Sequence, residues 1–351
     1  MKVGTENSLA WTGIKRQLEH LQACPNASSD SAFYARAYGW NDDFFIKIAI
    51  GKKGNLYTVN NYNQLAQYNP SGKLLWKTDL GARVTEVKEI TIGKNDDIYL
   101  AGVTDSTYAA WVAKYSSTGK LLWEKYLKPT RRNRPEIPSG IATDSKDNVY
   151  FVGIAYSPQS DYYIASYSWV VKYNSQGGQQ WRQSSLSDNY GVFGNSIAID
   201  SRDNFYLSGV IDFDFFSGTG DAWVAKYSSA GKQLWERRLG NTAADPDYYD
   251  QSFSYGVTID RGGNVFVTGD TQEKLGARKY GDERDSDAWV AKYSSSGLLQ
   301  WTRQLGTSDA DSSAKVAVDS SNNIYLTGYT NGKLGDKQYG GPDIWLAKYS
   351  P

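Results

Sequence analysis

The sequence predicts an all-β chain folded as a six-bladed β-propeller of four-stranded blades, and three observations predict it. Four tryptophan pairs lie twelve residues apart: Trp111 with Trp123, Trp169 with Trp181, Trp223 with Trp235 and Trp289 with Trp301. Each pair brackets a variant of the string W-V-A-K-Y-S-S-x-G-K-x-L-W. Upstream of Trp169, Trp223, Trp289 and Trp345 comes a short β-branched piece ending in Asp, then N-x-Y/F-x-x-G, as in Gly140-Ile-Ala-Thr-Asp144 followed by Asn148 to Gly153. A repeat this long is one supersecondary unit that cannot bury its apolar face alone, so copies must stack.

The elements follow in order. Ser196 to Asp200, Gly256 to Asp260 and Lys315 to Asp319 repeat the first piece, and Asn204 to Gly209, Asn264 to Gly269 and Asn323 to Gly328 repeat the second. Alternation bounded by Gly, Asn, Asp and Ser reads as short strands between turns. Two weaker copies precede them, from Glu89-Ile-Thr-Ile-Gly93 and from Lys47-Ile-Ala-Ile-Gly51, where Gln64 replaces the first tryptophan. The sixth unit stops after Trp345-Leu-Ala-Lys-Tyr349, without a fourth strand. Ser8-Leu-Ala-Trp11 followed by Lys15-Arg-Gln-Leu18 resembles Leu299-Gln-Trp301-Thr-Arg-Gln-Leu305. Residues 1–18 are therefore expected to complete the last blade, which closes the ring without an unpaired inner edge. Residues 19–45 read as an insertion with a short helix, and 46–351 as the repeats, forming one domain with 1–18.

Ser-Ser-x-Gly between two strands suits a short hairpin in which Gly119, Gly231 or Gly297 takes the left-handed conformation. A bulge at that glycine would put Trp111, Ala113, Tyr115 and Trp123 on one face, packed against the neighbouring blade.

On these strings, D-A-W-V-A-K-Y-S-S-x-G-K-x-L-W at Asp221 to Trp235 and D-S-x-x-N-x-Y-L-x-G at Asp319 to Gly328, the chain resembles the bacterial β-propeller repeat family called SBBP, from about Phe45 to Tyr349. That family is described as seven-bladed, so seven blades is the alternative fold; the stretch between Trp11 and Ile46 is too short for another blade. The segment Ala113 to Trp123 is also similar to the tryptophan-docking motif of quinoprotein propellers, with Tyr115 where that motif carries an acid.

Composition bounds the function classes. Lys plus Arg and Asp plus Glu both number 38, so no net charge argues for nucleic acid or an anionic membrane surface. No run of apolar residues is long enough to insert in a membrane as a helix. The single cysteine, Cys24, excludes an intrachain disulfide. The N-terminus lacks the apolar stretch of a secretory signal, so the expected location is cytoplasmic, or extracellular if an export signal has been removed. His20 is the single histidine, which argues against Ser-His-Asp and Cys-His catalysis.

Connection lengths place the site. Strand one to strand two and strand three to strand four are constant, whereas Gly102 to Trp111 is nine residues, Gly209 to Trp223 fourteen and Gly269 to Trp289 twenty. One face is held constant and the other elaborated, and variable loops on a rigid scaffold usually carry function. The elaborated loops mix rings and charges: Asp161, Tyr162 and Tyr163; Asp212, Phe213, Asp214 and Phe216; Tyr248 and Tyr249; Arg131, Arg132 and Arg134. Flat aromatic surface beside carboxylates suits a small molecule, a glycan or a protein partner. Lys47, Glu89 and Lys315 occupy equivalent places at the start of strand one and are candidates for anchoring a ligand at the channel mouth.

The motifs require no cofactor. Calcium is the ion the acidic segments would take, through Asp245, Asp247 and Asp250 or through Asp309 and Asp311, although neither has the spacing of a calcium loop. Asp144, Asp200, Asp260 and Asp319 are read as acceptors for the turn that follows. A sialidase-like site fails on two motifs: the hairpin lacks the Asp-box acid, and the three arginines share one loop. The expectation is a recognition or scaffold propeller, with a lyase, cyclase or hydrolase at the channel mouth as the alternative.

Overall fold

The structure is a computed structural model that describes residues 47–104, 109–127, 135–159, 162–184, 192–211, 220–240, 251–275, 278–282, 284–334 and 342–349. Six antiparallel sheets form the six blades of a propeller, and no helix occurs among the described residues. Blade one comprises β1 (Lys47–Ile50), β2 (Leu56–Val59), β3 (Gln64–Tyr68) and β4 (Leu74–Asp79). Blade two comprises β5 (Val84–Ile92), β6 (Ile98–Thr104), β7 (Ala110–Tyr115) and β8 (Leu121–Tyr126). In blade three these are β9 (Glu136–Thr143), β10 (Val149–Gln159), β11 (Tyr162–Tyr173) and β12 (Gln179–Ser184). Blade four contains β13 (Phe193–Ile199), β14 (Phe205–Ile211), β15 (Asp221–Tyr227) and β16 (Gln233–Leu239). Blade five contains β17 (Ser252–Ile259), β18 (Val265–Thr271), β19 (Asp287–Tyr293) and β20 (Leu299–Leu305). Blade six has β21 (Asp311–Val318), β22 (Ile324–Thr330) and β23 (Asp343–Tyr349). The expected completing strand at Trp11 and the 19–45 insertion lie outside the described residues.

The constant hairpins are built alike. The N–H of the first turn residue bonds the carbonyl four residues on, as in Asp144 to Asn148 and Ser116 to Lys120. Gly119, Gly231 and Gly297 have φ of 81°, 87° and 82°, as their place in the hairpin predicts.

One expectation is corrected. Lys114 pairs directly with Trp123, and the register slips between Lys114 and Tyr115. Directly opposed residues share a face, so Trp123 lies with Lys114 on the face opposite Trp111, Ala113 and Tyr115. The two tryptophans of a blade therefore serve different neighbours. Trp111 packs in a core with Tyr57, Leu65 and Trp76 of blade one, while Trp123 packs against Trp169 and Tyr173 of blade three.

This arrangement explains both the tryptophan and the glycine of the repeat. The indole N–H of Trp123 donates to the Ser175 carbonyl at 3.0 Å, that of Trp76 to Ser117 at 3.1 Å, and that of Trp235 to Ser295 at 3.1 Å. Each ring thus docks on the hairpin of the next blade. A Cβ at Gly177 would sit 2.9 Å from the Trp123 ring, and one at Gly297 2.8 Å from Trp235. Glycine supplies the left-handed turn and also leaves room for the indole.

Candidate functional site

The innermost strands form the channel wall, and each of β5, β9, β13, β17 and β21 carries a bulge that sets one residue outside the ladder register, at Lys88, Ser139, Asn195, Tyr255 and Ala314, with a second in β5 at Thr85. A bulge re-aims a side chain, and the first five are half-buried. The position just after it holds Glu89, Gly140, Ser196, Gly256 and Lys315, with Lys47 as the equivalent in blade one. Strand one begins upstream of these residues in blades two to six, so Glu89 and Lys315 sit within the wall, not at its start. Gly140 and Gly256 are pressed between blades: a Cβ at 140 would lie 3.2 Å from Ile197, and one at 256 would lie 3.2 Å from the Cα of Lys315.

The structure does bring two of the three predicted wall charges together. Lys315 Nζ lies 3.0 Å from Glu89 Oε1, joining blade six to blade two. Lys47 occupies the matching place on β1, opposite Val59, in the blade between them. Charge is thus concentrated in blades six, one and two, while blades three to five present small or neutral residues at this level.

The other notable group on the inner side is Asp270, which sequence reasoning missed. It follows Gly269 on β18, where blades two, three, four and six place Val103, Ile154, Val210 and Tyr329. Tyr255 Oη donates to it at 3.3 Å, and the Ser312 hydroxyl from blade six also reaches it. Burial pushes the Asp270 carboxyl up to about 7, against the lowering effect of those two hydroxyls. The readable signal was an acid in an apolar position of the repeat.

The repeated polar residues are engaged in structure. Asp144 accepts the N–H groups of Lys146 and Asn148 at 3.0 and 2.9 Å, and Asp319 accepts those of Ser321 and Asn323 at 2.8 Å. On the constant face, left-handed aspartates fasten successive blades. Asp96 accepts the Lys52 N–H, Asp147 the Lys94 N–H and Asp203 the Ser145 N–H, each at 2.8 Å. Their φ angles of 60°, 63° and 62° are of the kind Asp tolerates better than most residues. In blades five and six Gly263 and Asn322 take this place.

Lys114, from the hairpin string, bridges Asp97 at 2.9 Å and Asp147 at 3.1 Å and lies 5.0 Å from the Tyr99 ring centroid. Burial alone would raise the Asp147 carboxyl, yet the Lys94 N–H and the Lys114 ammonium hold it below the usual range. Two hollows of about 450 and 350 Å³ open on this constant face, both lined by Lys94 and Asn95. Their acids are already paired with lysines or main-chain N–H groups.

On the elaborated face, Tyr162 and Tyr163 open β11 and pair with Gln159 and Pro158. Arg131, Arg132, Arg134, Asp161, Asp212, Phe213, Asp214, Phe216, Tyr248 and Tyr249 lie outside the described residues, as do the calcium candidates Asp245, Asp247 and Asp250. Asp309 is exposed and Asp311 buried. No helix among the described residues is long and apolar enough to cross a membrane.

Comparison with known proteins agrees with the repeat. The model of the SBBP β-propeller repeat matches residues 234–276 and 300–336, and a model described as outer membrane protein assembly factor BamB matches residues 36–168. An uncharacterised WD repeat-containing protein of Acanthamoeba polyphaga mimivirus is 28% identical over 133 residues, covering 33% of this chain and 9% of its own length. The regulatory protein FlaEY of Caulobacter vibrioides is 27% identical over 143 residues, 38% of this chain and 14% of that protein. The chain thus spans only a small part of either relative. The crystal structure of BamB from Moraxella catarrhalis aligns with 86% of this chain and 89% of its own at 14% identity and a TM-score of 0.41.

Proposed function

We propose that this chain, which carries repeats of the SBBP β-propeller family in a six-bladed ring, is a recognition or scaffold module that holds a protein partner on its long-connection face. The observation that carries this reading is a division of labour along the repeat. The tryptophans, glycines, aspartates and lysines that recur are engaged in joining blades or in bracing their own turns. Variation is confined to the connections at the opposite end, where β18 and β19 alone are separated by residues 272–286. A rigid frame with variable loops is a common design for binding. The family description naming an assembly factor, and the WD-repeat relative, lend further support.

Photo-crosslinking tests it. Probes at exposed Lys274 and Arg284, on the long connection of blade five, are expected to trap a partner in cells, and probes at exposed Lys53 and Lys146, on the constant face, are not. Trapping from the constant face alone would reverse the assignment.

One observation favours the second reading, an enzyme of lyase, cyclase or hydrolase type acting from the inner wall without a histidine triad. Asp270, held near 7 beside Tyr255, has the proton affinity of a general acid or base at neutral pH. That reading requires a turnover that disappears in Asp270→Asn while the fold persists.

A further inference from the structure

Where blades five and six meet on the long-connection face, Asp287 opens β19 and Asp311 opens β21. Their side chains are buried, with exposures of 0% and 1%. One oxygen of each is well engaged. Oδ2 of Asp287 accepts the Tyr280 N–H at 2.8 Å and the Gln304 amide at 3.3 Å. Oδ2 of Asp311 accepts the Thr307 N–H at 2.5 Å and the Thr307 hydroxyl at 2.9 Å. The other oxygen of each, Oδ1, is buried with no hydrogen-bond partner.

Both carboxylates border one small space. A Cβ at Gly306 would stand 2.3 Å from Asp287 Oδ1 and 3.2 Å from Asp311 Oδ2, the engaged oxygen, so the two carboxylates close together over residue 306 leave it no room for a side chain. Two neighbouring buried carboxylates, each with one unpaired oxygen, are costly unless a positive charge or a proton joins them. The neighbouring joint has such a charge. There Asp221 and Glu273 border Gly240, and Arg238 Nη1 lies 4.0 Å from Asp221. In the equivalent place on β20 stands Gln304, which is neutral. Lys279, whose ammonium donates to the carbonyls of Asp282 and Asp285, also faces Asp287 and offsets part of its charge, one positive charge against the two carboxylates.

We propose that Asp287 and Asp311 bind a divalent cation, calcium by its chemistry, between blades five and six. The free donors are hard carboxylate oxygens, each held in place through its partner oxygen, which suits a hard ion. No three acidic, histidine or cysteine side chains converge among the described residues. Water and main-chain oxygens would therefore complete a shell of about six to eight ligands, a composition calcium accepts and zinc does not. The ion replaces the positive charge that Arg238 supplies one joint earlier. It would also tie residues 306–310 to residues 278–282 and 284–286 on the binding face.

The test uses the whole chain, stripped with a chelator at about pH 7.5. Calcium is expected to bind once per chain and to raise the melting midpoint by about 5 °C at saturation, an effect absent from D287N and D311N. Terbium should bind wild-type protein at the same place, with luminescence excited through nearby Trp289 and quenched by added calcium; this readout needs no variant. A wild-type midpoint that ignores calcium would overturn the proposal. A calcium response unchanged in D311N would overturn it by placing the ion elsewhere.

Discussion

Lys315 Nζ and Glu89 Oε1 lie 3.0 Å apart although they belong to the innermost strands of the sixth and second blades. The bond spans the ring past the blade that stands between them. Removing one partner leaves a partly buried charge without its counterpart, so Glu89→Gln is expected to cost about 1–2 kcal/mol after allowance for partial exposure. A double-mutant cycle with Lys315→Met should give a coupling on the order of 1 kcal/mol in urea unfolding. Strict additivity would mean that the pair contributes nothing to closure.

The docking tryptophans set the second expectation. Trp123→Ala removes a ring packed between blades two and three and a hydrogen bond to Ser175, a loss of about 3–5 kcal/mol. Leu122, its neighbour on β8, is 48% exposed, and Leu122→Ala should change stability by no more than about 0.5 kcal/mol. Thermal unfolding of the two variants side by side checks the contrast.

Asp270 makes stability depend on pH. Its folded-state value of about 7 lies above the ordinary 3.8, so the folded chain binds this proton more tightly than the unfolded chain. The resulting stability is fully present below about pH 4 and is lost as pH rises through 7, amounting at most to about 4 kcal/mol. Asp270→Asn is expected to flatten that slope and to be more stable than wild type at about pH 8. A variant less stable than wild type at both ends of the range would contradict the assignment.

The outer edge of blade six gives a fourth expectation. Among the described residues β23 has no partner on its outer side, and Ile344 is 43% exposed. If residues 1–18 supply that strand, a chain beginning at residue 19 should unfold earlier and self-associate through the open edge. A peptide of residues 1–18 added back should restore the midpoint. Equal stability of the short and long chains, read by calorimetry and light scattering, would exclude this closure.

Much of the fold was legible because the repeat encodes its own joints. The twelve-residue tryptophan spacing, the hairpin glycines and the Asp before each turn all mark contacts that recur in the structure. What the spacing did not reveal is which neighbour each tryptophan faces. That depends on a slip between Lys114 and Tyr115, and a one-residue slip exchanges the faces of a strand. The inner wall was less legible for the same reason. Bulges at Lys88, Ser139, Asn195, Tyr255 and Ala314 break the alternation that a sequence pattern relies on. Glu89 and Lys315 were readable as departures from Gly140 and Gly256, but their pairing was not, because 226 residues separate them. Asp287 recurs as the first residue of its string, so its lost counter-charge becomes visible only when Gln304 is set against Arg238.

The central claim is that recognition belongs to the long connections and the repeat serves only to hold them. Hydrogen–deuterium exchange of the chain alone and with its crosslinked partner tests this most directly. The account predicts new protection in residues 272–286 and 306–310 and none in the constant turns at 93–97, 144–148 and 200–204. Protection of those turns with the long connections unchanged would contradict it.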